Sequence, residues 1–516
     1  MQTASPRFHE LAQGHVRPLS WQLRASFDKT FEPGIGFFVL SSDDTPMSLL
    51  DGTDVLAFSD DDIVQEWDKY DYADYSDRAV QIEYSREEDM PYSVNLAMAD
   101  IQLNNYDNLF TKGAGSPLEA NLLPRRPFRI LAGFGGENIP QFVGLSDYTP
   151  KANYQDKIAS VHCVDFLSFL FERPLDETVI MQEVKTHEVL AYLFELAGLL
   201  PDQYVLEESF NKIAFVYFEK GKKLGQALRE LMQAELGRLY MDSTGVIRFQ
   251  NRERTAGTVV YDFDKSMIED YEVSDETKII NVVEIKANVR RVQPSQPIYT
   301  LSEPQTLLNG EDTEIFLSLT DPITSLSELF TYKANSQADG QGTDLSANIN
   351  IEDVEEFATA VKITFSNSGA LAYLTELELI GTPAKQVGPP VYARIIDQDS
   401  IDKYEEQVLT IDNDFVQTQD AANSLGLTLL NYYSEYNNTI EMTVKGNHAL
   451  QIRDNIHVSI DNIDQDFTIT KITNILSKGK FTQRISARVF NIINYFTLSS
   501  DDEARSLLNG GDLLAP

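Results

Sequence analysis

Apolar and polar positions alternate through several short stretches of the chain: residues 21–27, 79–84, 128–132, 439–444, 467–472 and 481–488. A period of two sends successive side chains to opposite faces, so each stretch predicts a half-buried strand. Phe37-Phe38-Val39-Leu40, after the Pro33-Gly34 turn, predicts another. Two stretches keep the helical period instead. Val189, Leu190, Leu193, Leu196 and Leu199 follow Thr186, which is expected to cap the helix, with Gly198 and Pro201 as its end. Leu228, Leu231, Met232 and Leu236 mark a second helix from about 224 to 235, with Gly237 expected to terminate it. Residues 238–242 and 246–250 then predict a hairpin across Ser243-Thr244-Gly245. Ala422, Leu425, Leu429, Tyr432 and Tyr433 give a third helix, about 417–436.

The chain has 516 residues, too many for one core, which suggests three or four domains. No apolar run of membrane-spanning length occurs, so no insertion into a membrane by this chain is expected. The N-terminus lacks the basic-then-apolar profile of a secretion signal. The single cysteine, Cys163, rules out an internal disulfide and predicts a reduced, buried thiol. A net charge of −38 argues against nucleic-acid binding, which needs Lys or Arg to displace condensed counterions. It fits general solubility, a salt-adapted host, or a channel wall along which DNA slides without sticking. Residues 43–89 hold 16 acidic residues against Lys69, Arg78 and Arg86. Aromatics interleave those acids (Trp67, Tyr70, Tyr72, Tyr75), so an ordered excursion at a subunit interface is expected.

Four segments carry a resemblance in order: Asp100-Ile101-Gln102-Leu103-Asn104-Asn105-Tyr106, Leu123-Pro124-Arg125-Arg126-Pro127-Phe128-Arg129-Ile130, Phe142-Val143-Gly144-Leu145, and His162-Cys163-Val164-Asp165-Phe166-Leu167. The helix-to-hairpin segment from Ala234 to Phe249 and the series Val444-Lys445-Gly446-Asn447, Leu450 to Ile456, Ile469-Thr470-Lys471-Ile472 and Phe481 to Arg488 extend it. This order resembles the tail-tip and baseplate hub proteins of long-tailed bacteriophages. The resemblance implies a mainly β chain with α+β content. Two tail-tube-like β-barrels would occupy residues 20–171 (with the acidic excursion 43–89) and the split segments 254–300 and 389–496. In the second, the strand 279–287 would open the barrel. A small α+β domain would span 172–253, an arm 1–19 and a tail 497–516. The insert 301–388, which departs from the family, is expected to be a β-sandwich.

The same resemblance implies a structural hub of the virion tail tip, made in the host bacterial cytoplasm. Three copies would form a pseudo-hexameric ring that closes the tail tube, adapts six-fold to three-fold symmetry and lets DNA pass on host contact without specific binding. Expected partners are the distal tail protein, the tape-measure protein, and tail fibre or spike proteins. Arg125 and Arg126 are expected to pair with acids at a subunit contact.

Enzyme chemistry is not expected. None of His9, His15, His162, His187, His448 and His457 forms a two-ligand zinc spacing, and no Gly-x-Ser-x-Gly elbow occurs. His162 and Asp165 fall on opposite faces of a strand. Asp60-Asp61-Asp62 reads as a solvated charge run rather than a cation site. No cofactor or metal is expected. Two other classes compete with the hub: a tail-associated cell-wall hydrolase, and a receptor- or glycan-binding protein acting through the insert, with Tyr332 and Tyr373 as candidate surface residues that packing would equally explain.

Overall fold

The computed structural model describes residues 1–14, 17–27, 70–88, 92–252, 258–275, 279–327, 331–386, 391–433, 438–477 and 479–489, with short strands at 495–496 and 513–514. The expected strand at 37–40, the candidate residue Trp67, Asp60–Asp62 and nearly all of the tail lie outside the described residues. Among those described, no helix is long and apolar enough to cross a membrane.

The chain is mainly β, in several sheets. The alternating stretches assemble into two six-stranded units. The first runs Ala79–Glu87, Met98–Asn104, Ile158–Val164, Glu137–Ser146, Pro127–Phe134, Leu19–Ala25. Every second side chain turns into one core, which holds Leu23, Ile82, Ile101, Ile130, Phe142, Val161 and Cys163. The second runs Val259–Asp264, Asn455–Ile460, Ile463–Ser477, Lys480–Val489, Asn438–Val444, Ile268–Asp275. Its core holds Phe263, Met442, Ile456, Val458, Phe467, Ile472 and Ile485. The two units fuse. Gln81 to Glu87 pairs antiparallel with Ser477 to Lys471, so one sheet of 14 strands crosses both.

Neither unit closes into a barrel, contrary to expectation. In the first, the edge strand Leu19–Ala25 pairs with Ala73–Asp74 through two residue pairs, and the Leu23 carbonyl accepts from Tyr75 N (2.8 Å) while its N–H donates to Ser76 Oγ (2.9 Å); the chain then passes a 3-10 turn, Ser76–Arg78, before becoming the opposite edge, Ala79–Glu87. In the second, the edge strands Val259–Asp264 and Ile268–Asp275 are joined by residues 265–267, where Ser266 N donates to Asp264 Oδ1 (2.7 Å). They diverge from this turn to different neighbours, Asn455–Ile460 and Asn438–Val444. Each roll therefore brings its two edges together through consecutive chain, with no ladder between the edges among the described residues.

The strand expected to open the second barrel goes elsewhere. Val282–Ala287 pairs antiparallel with Val391–Ile396 and parallel with Val408–Asp412. The helix Gln419–Tyr433 covers this three-stranded sheet through Leu425 and Leu429. A Cβ on Gly426 would stand 2.8 Å from Ile395, so glycine permits the close approach. Alternation predicts which face of a strand is buried, not which sheet receives it. This layer shares its core with the helices Phe166–Phe171, Thr186–Leu196 and Leu224–Glu235.

Two helix ends also differ from expectation. Thr186 does not cap its helix: Lys185 is the N-cap, its N–H donating to Glu188 Oε2 (2.7 Å), while the Thr186 hydroxyl donates to buried Glu235 (3.2 Å). The left-handed residue after Leu224–Glu235 is Leu236 (φ 55°), not Gly237. Residues 290–386 form two facing layers around one core. Ala372–Gln386 carries one layer on both its edges, and Ala360–Asn367 centres the other, so the Asn367-Ser368-Gly369 turn links opposite layers.

Candidate functional site

The face of the fused sheet opposite its two cores is mainly polar over seven strands, with Met98 and Ile475 as apolar exceptions. Directly opposed residues share a face of a sheet, so the registers define its rows. One row reads His162, Asp100, Glu83. The next reads Ser85, Thr473, Arg484, Thr443, Asp270, and a third Glu87, Lys471, Ser486, Glu441, Glu272. The surface is concave over the seam, where it forms a groove of about 500 Å³. Two pairs of carboxylates stand directly opposed, Glu83 with Asp100 and Glu272 with Glu441. Like charges in that position destabilise a sheet, so the fold does not gain from them. His162 Nδ1 meets Asp100 Oδ1 (2.8 Å) and Lys471 pairs with Glu87 (2.7 Å), which offsets part of the repulsion.

A buried joint lies at the end of the seam strand. Glu88, the residue after the seam strand, has a fully buried carboxylate. It accepts from Arg453 Nε (2.7 Å), at the start of the second unit, and lies 3.3 Å from Arg238 Nε, in the α+β hairpin. One carboxylate thus ties three parts of the chain. Burial pulls the Arg238 guanidinium down to about 10, with Glu88 opposing the shift, so it keeps its charge at neutral pH. Charge-assisted bonds of this type are strong because both partners are removed from water.

A second polar cluster lies between the units. The Tyr84 hydroxyl donates to Gln141 Oε1 (3.0 Å), and Gln141 Nε2 donates to the His448 carbonyl (3.1 Å). With the Tyr84 proton used on Gln141, His448 Nδ1–H is the donor toward Tyr84 (3.4 Å), which makes Nε2 a bare lone pair. The His448 ring stacks on Phe481, 3.7 Å between centres. Burial lowers its pKa to about 3, with Arg17 adding to the effect. Gly446 admits the approach of Gln483, whose Cβ would lie 2.2 Å from an added methyl; Gln483 Nε2 then bonds the Asn447 carbonyl (3.2 Å) and Asn474 (2.8 Å). The helix Pro6–Gln13 lies across the joint, with Phe8 buried beside Phe134, and Arg17 Nη1 donates to the Gly446 carbonyl (2.8 Å).

The candidate interface residues are not gathered at one surface. Tyr70 packs at the edge of the α+β core, 6.4 Å from Tyr72, whose ring lies 4.8 Å from the Arg129 guanidinium. Tyr75 packs edge-on against Phe27 and Phe110 inside the first unit. Arg126 is buried, with Nε donating to the Asn121 carbonyl (2.8 Å), while Arg125 is exposed and lies over Phe169 (5.5 Å). Tyr332 packs on Phe365 and donates to the Ile349 carbonyl (2.9 Å); Tyr373 is half-buried in the opposite layer to Phe365. His162 serves Asp100, and Asp165 caps the helix Phe166–Phe171. Among the described residues no group of three or more His, Cys, Asp or Glu could hold a metal. Glu88, Arg238, Arg453 and His448 were not singled out by pattern. Glu88 sits inside an acidic run, and nothing local marks it as the buried member.

Replacing Glu88 by Gln leaves buried Arg238 and half-buried Arg453 without their shared charge. The expected loss is about 3–5 kcal/mol of unfolding free energy, read by urea titration; a loss under about 1 kcal/mol contradicts the joint. His448 gives a pH signature. Its folded pKa lies below the ordinary value near 6.5, so the neutral ring favours the fold above that value. That contribution is lost as pH falls from about 6.5 toward 3, by up to about 1.4 kcal/mol per unit. Buried Asp165, raised to about 6 by desolvation, has the opposite sign as pH falls through 6. The difference between the parent and His448→Phe isolates the histidine. The variant is expected to lose less stability between pH 6.5 and 4, and equal slopes sink the assignment.

No family model and no curated protein sequence matches this chain. Solved structures do. The chain is similar to a 43 kDa tail protein of prophage MuSo2 from Shewanella oneidensis, at 11% identity and a TM-score of 0.44, over 81% of this chain and 95% of that one. It is similar to a tail protein from Neisseria meningitidis at 10% identity and a TM-score of 0.45, over 81% and 93%. A type VI secretion component of E. coli, described as structurally similar to bacteriophage T4 tail proteins, shares 9% identity at a TM-score of 0.34, over 80% and 74%. By these comparisons the chain is similar in fold to phage tail proteins and to a type VI secretion component.

Proposed function

We propose that this chain is a structural hub of a phage-type tail tip or baseplate, and that its seven-strand polar face lines the opening of a ring. The single observation that carries this is the continuity of that face across two rolled units fused at one seam. Two comparable units in one polypeptide act as two neighbouring subunits, so three copies supply six. The ring then presents six-fold contacts on one side and three-fold contacts on the other, and adapts a tail tube to what lies below it. The sequence resemblance to tail-tip hubs points the same way.

The opposed acids suit the task. Their mutual repulsion costs stability, and a wall that must not hold DNA gains from it, because phosphates find few cations to displace their counterions. The chemistry asked of this face is therefore repulsion and stiffness, not catalysis. Its partners are other copies of the chain, a tail protein above, a tape-measure protein within, and fibres or a spike below, in the virion tail. Sheet edges left free in one copy, such as Ile268–Asp275, which among the described residues pairs on one side only, would be protected by the neighbouring copy.

Native mass spectrometry of the purified full-length chain across a concentration series tests the copy number. The expected outcome is a species of three chains that strengthens with concentration. A chain that stays monomeric throughout, or that forms only even-numbered species, contradicts the ring.

A further inference from the structure

A second concave site lies away from the polar face, where the α+β region, the root of the inserted sandwich and the segment before the helix Gln419–Tyr433 meet. Its volume is about 340 Å³, near the lower end for small-molecule pockets and suited to one sugar ring. Tyr217 and Phe415 supply aromatic walls. Buried Gln417 fixes the floor, its Nε2 donating to the Phe215 carbonyl (2.7 Å) and its Oε1 accepting from Phe215 N (2.9 Å).

The charges at this site decide the ligand. Lys222 is committed to Glu230 (2.5 Å) and lies 5.7 Å from the Phe415 ring. Lys220 and Arg290 have no carboxylate partner among the described residues. Arg290 is held over Tyr217, its guanidinium carbon 5.5 Å from the ring centre, and Lys220 reaches toward Phe316 of the sandwich (5.5 Å). In a chain with 80 acidic and 42 basic side chains, two cations lining one pocket without a carboxylate partner among the described residues stand out against the average surface. Two acids, Glu219 and Asp414, line it as well. They repel a dianion, so a phosphate monoester is a poor fit. They accept hydrogen bonds from hydroxyl groups, and the planar Arg290 fork matches a carboxylate. Aromatic walls, hydroxyl acceptors and a fork for one negative charge together describe a single chemical class.

We propose that this pocket binds one acidic sugar residue, a pyranose ring carrying a single carboxylate. The inference is independent of the ring, since every group it uses belongs to one copy. It also moves any carbohydrate contact from the sandwich surface, where Tyr332 is spent on packing, to the sandwich root.

Isothermal titration of the full-length chain with glucuronate, glucose, acetate and inorganic phosphate tests it. Glucuronate is expected to bind in the millimolar range, and glucose, lacking the carboxylate, at least about tenfold more weakly. Arg290→Gln and the exposed Lys220→Gln are each expected to weaken glucuronate at least about fivefold with thermal unfolding unchanged. Arg484→Gln, on the polar face, should leave glucuronate affinity unaltered. If Arg290→Gln fails to fold, Lys220→Gln carries the test alone. Glucuronate binding no tighter than glucose overturns the proposal. So does acetate or phosphate binding as tight as glucuronate, or an unchanged affinity in the folded variants.

Discussion

The structure turns on one buried carboxylate. Glu88 ends the strand that forms the seam, and its two arginine partners come from the α+β hairpin and from the second rolled unit. Burying three charges is expensive, and the cost is offset only while all three meet in good geometry. That condition couples parts of the chain separated by more than 300 residues. If the second unit slipped along the seam by one residue, Arg453 would leave Glu88 and every side chain of the seam would change face. The ion triad therefore specifies the register more than it adds net stability, and the hydrogen-bonded ladder from Gln81 to Glu87 supplies the rest.

From that fixed register follows the continuity of the polar face. Two rows cross the seam as polar pairs, Ser85 meeting Thr473 and Glu87 meeting Lys471, while Glu83 meets half-buried Ile475. The polar cluster around Tyr84, Gln141 and His448, with the helix Pro6–Gln13 laid across it, links the two units behind the seam. A concave, net acidic surface is what remains at the front. Within one chain its opposed carboxylates only repel, which is the property the proposed ring wall would use.

Much of the local structure was legible. The alternating stretches at 79–84, 128–132, 439–444, 467–472 and 481–488 all lie in strands, and the two helices and hairpin between 186 and 250 fall where period and turn residues placed them. Partner choice was not legible. Val282–Ala287 alternates, with Ile285 and Ala287 buried and Glu284 and Lys286 outward, and such a pattern fits any sheet covered on one face; only the packing of Gln419–Tyr433 against it decides. Closure was not legible either, since a turn that joins two edge strands reads the same whether or not they pair. Leu236 took the left-handed position expected of Gly237 because its side chain is buried in the α+β core. Arg126 looked like a surface cation beside Arg125, and its burial depends on a carbonyl from the turn Glu119–Asn121. The joint was the least visible part: Glu88, Arg238 and Arg453 meet only through the tertiary fold.

The account stands or falls on where the acidic rows point. A cryo-EM map of the assembled ring or particle, resolved well enough to trace strands, answers this directly. The account predicts that Glu83, Asp100, Glu272 and Glu441 face the central opening in every copy, with the seam between them running along its wall. Finding those four carboxylates on the outer circumference, or covered by another protein away from any opening, would contradict it.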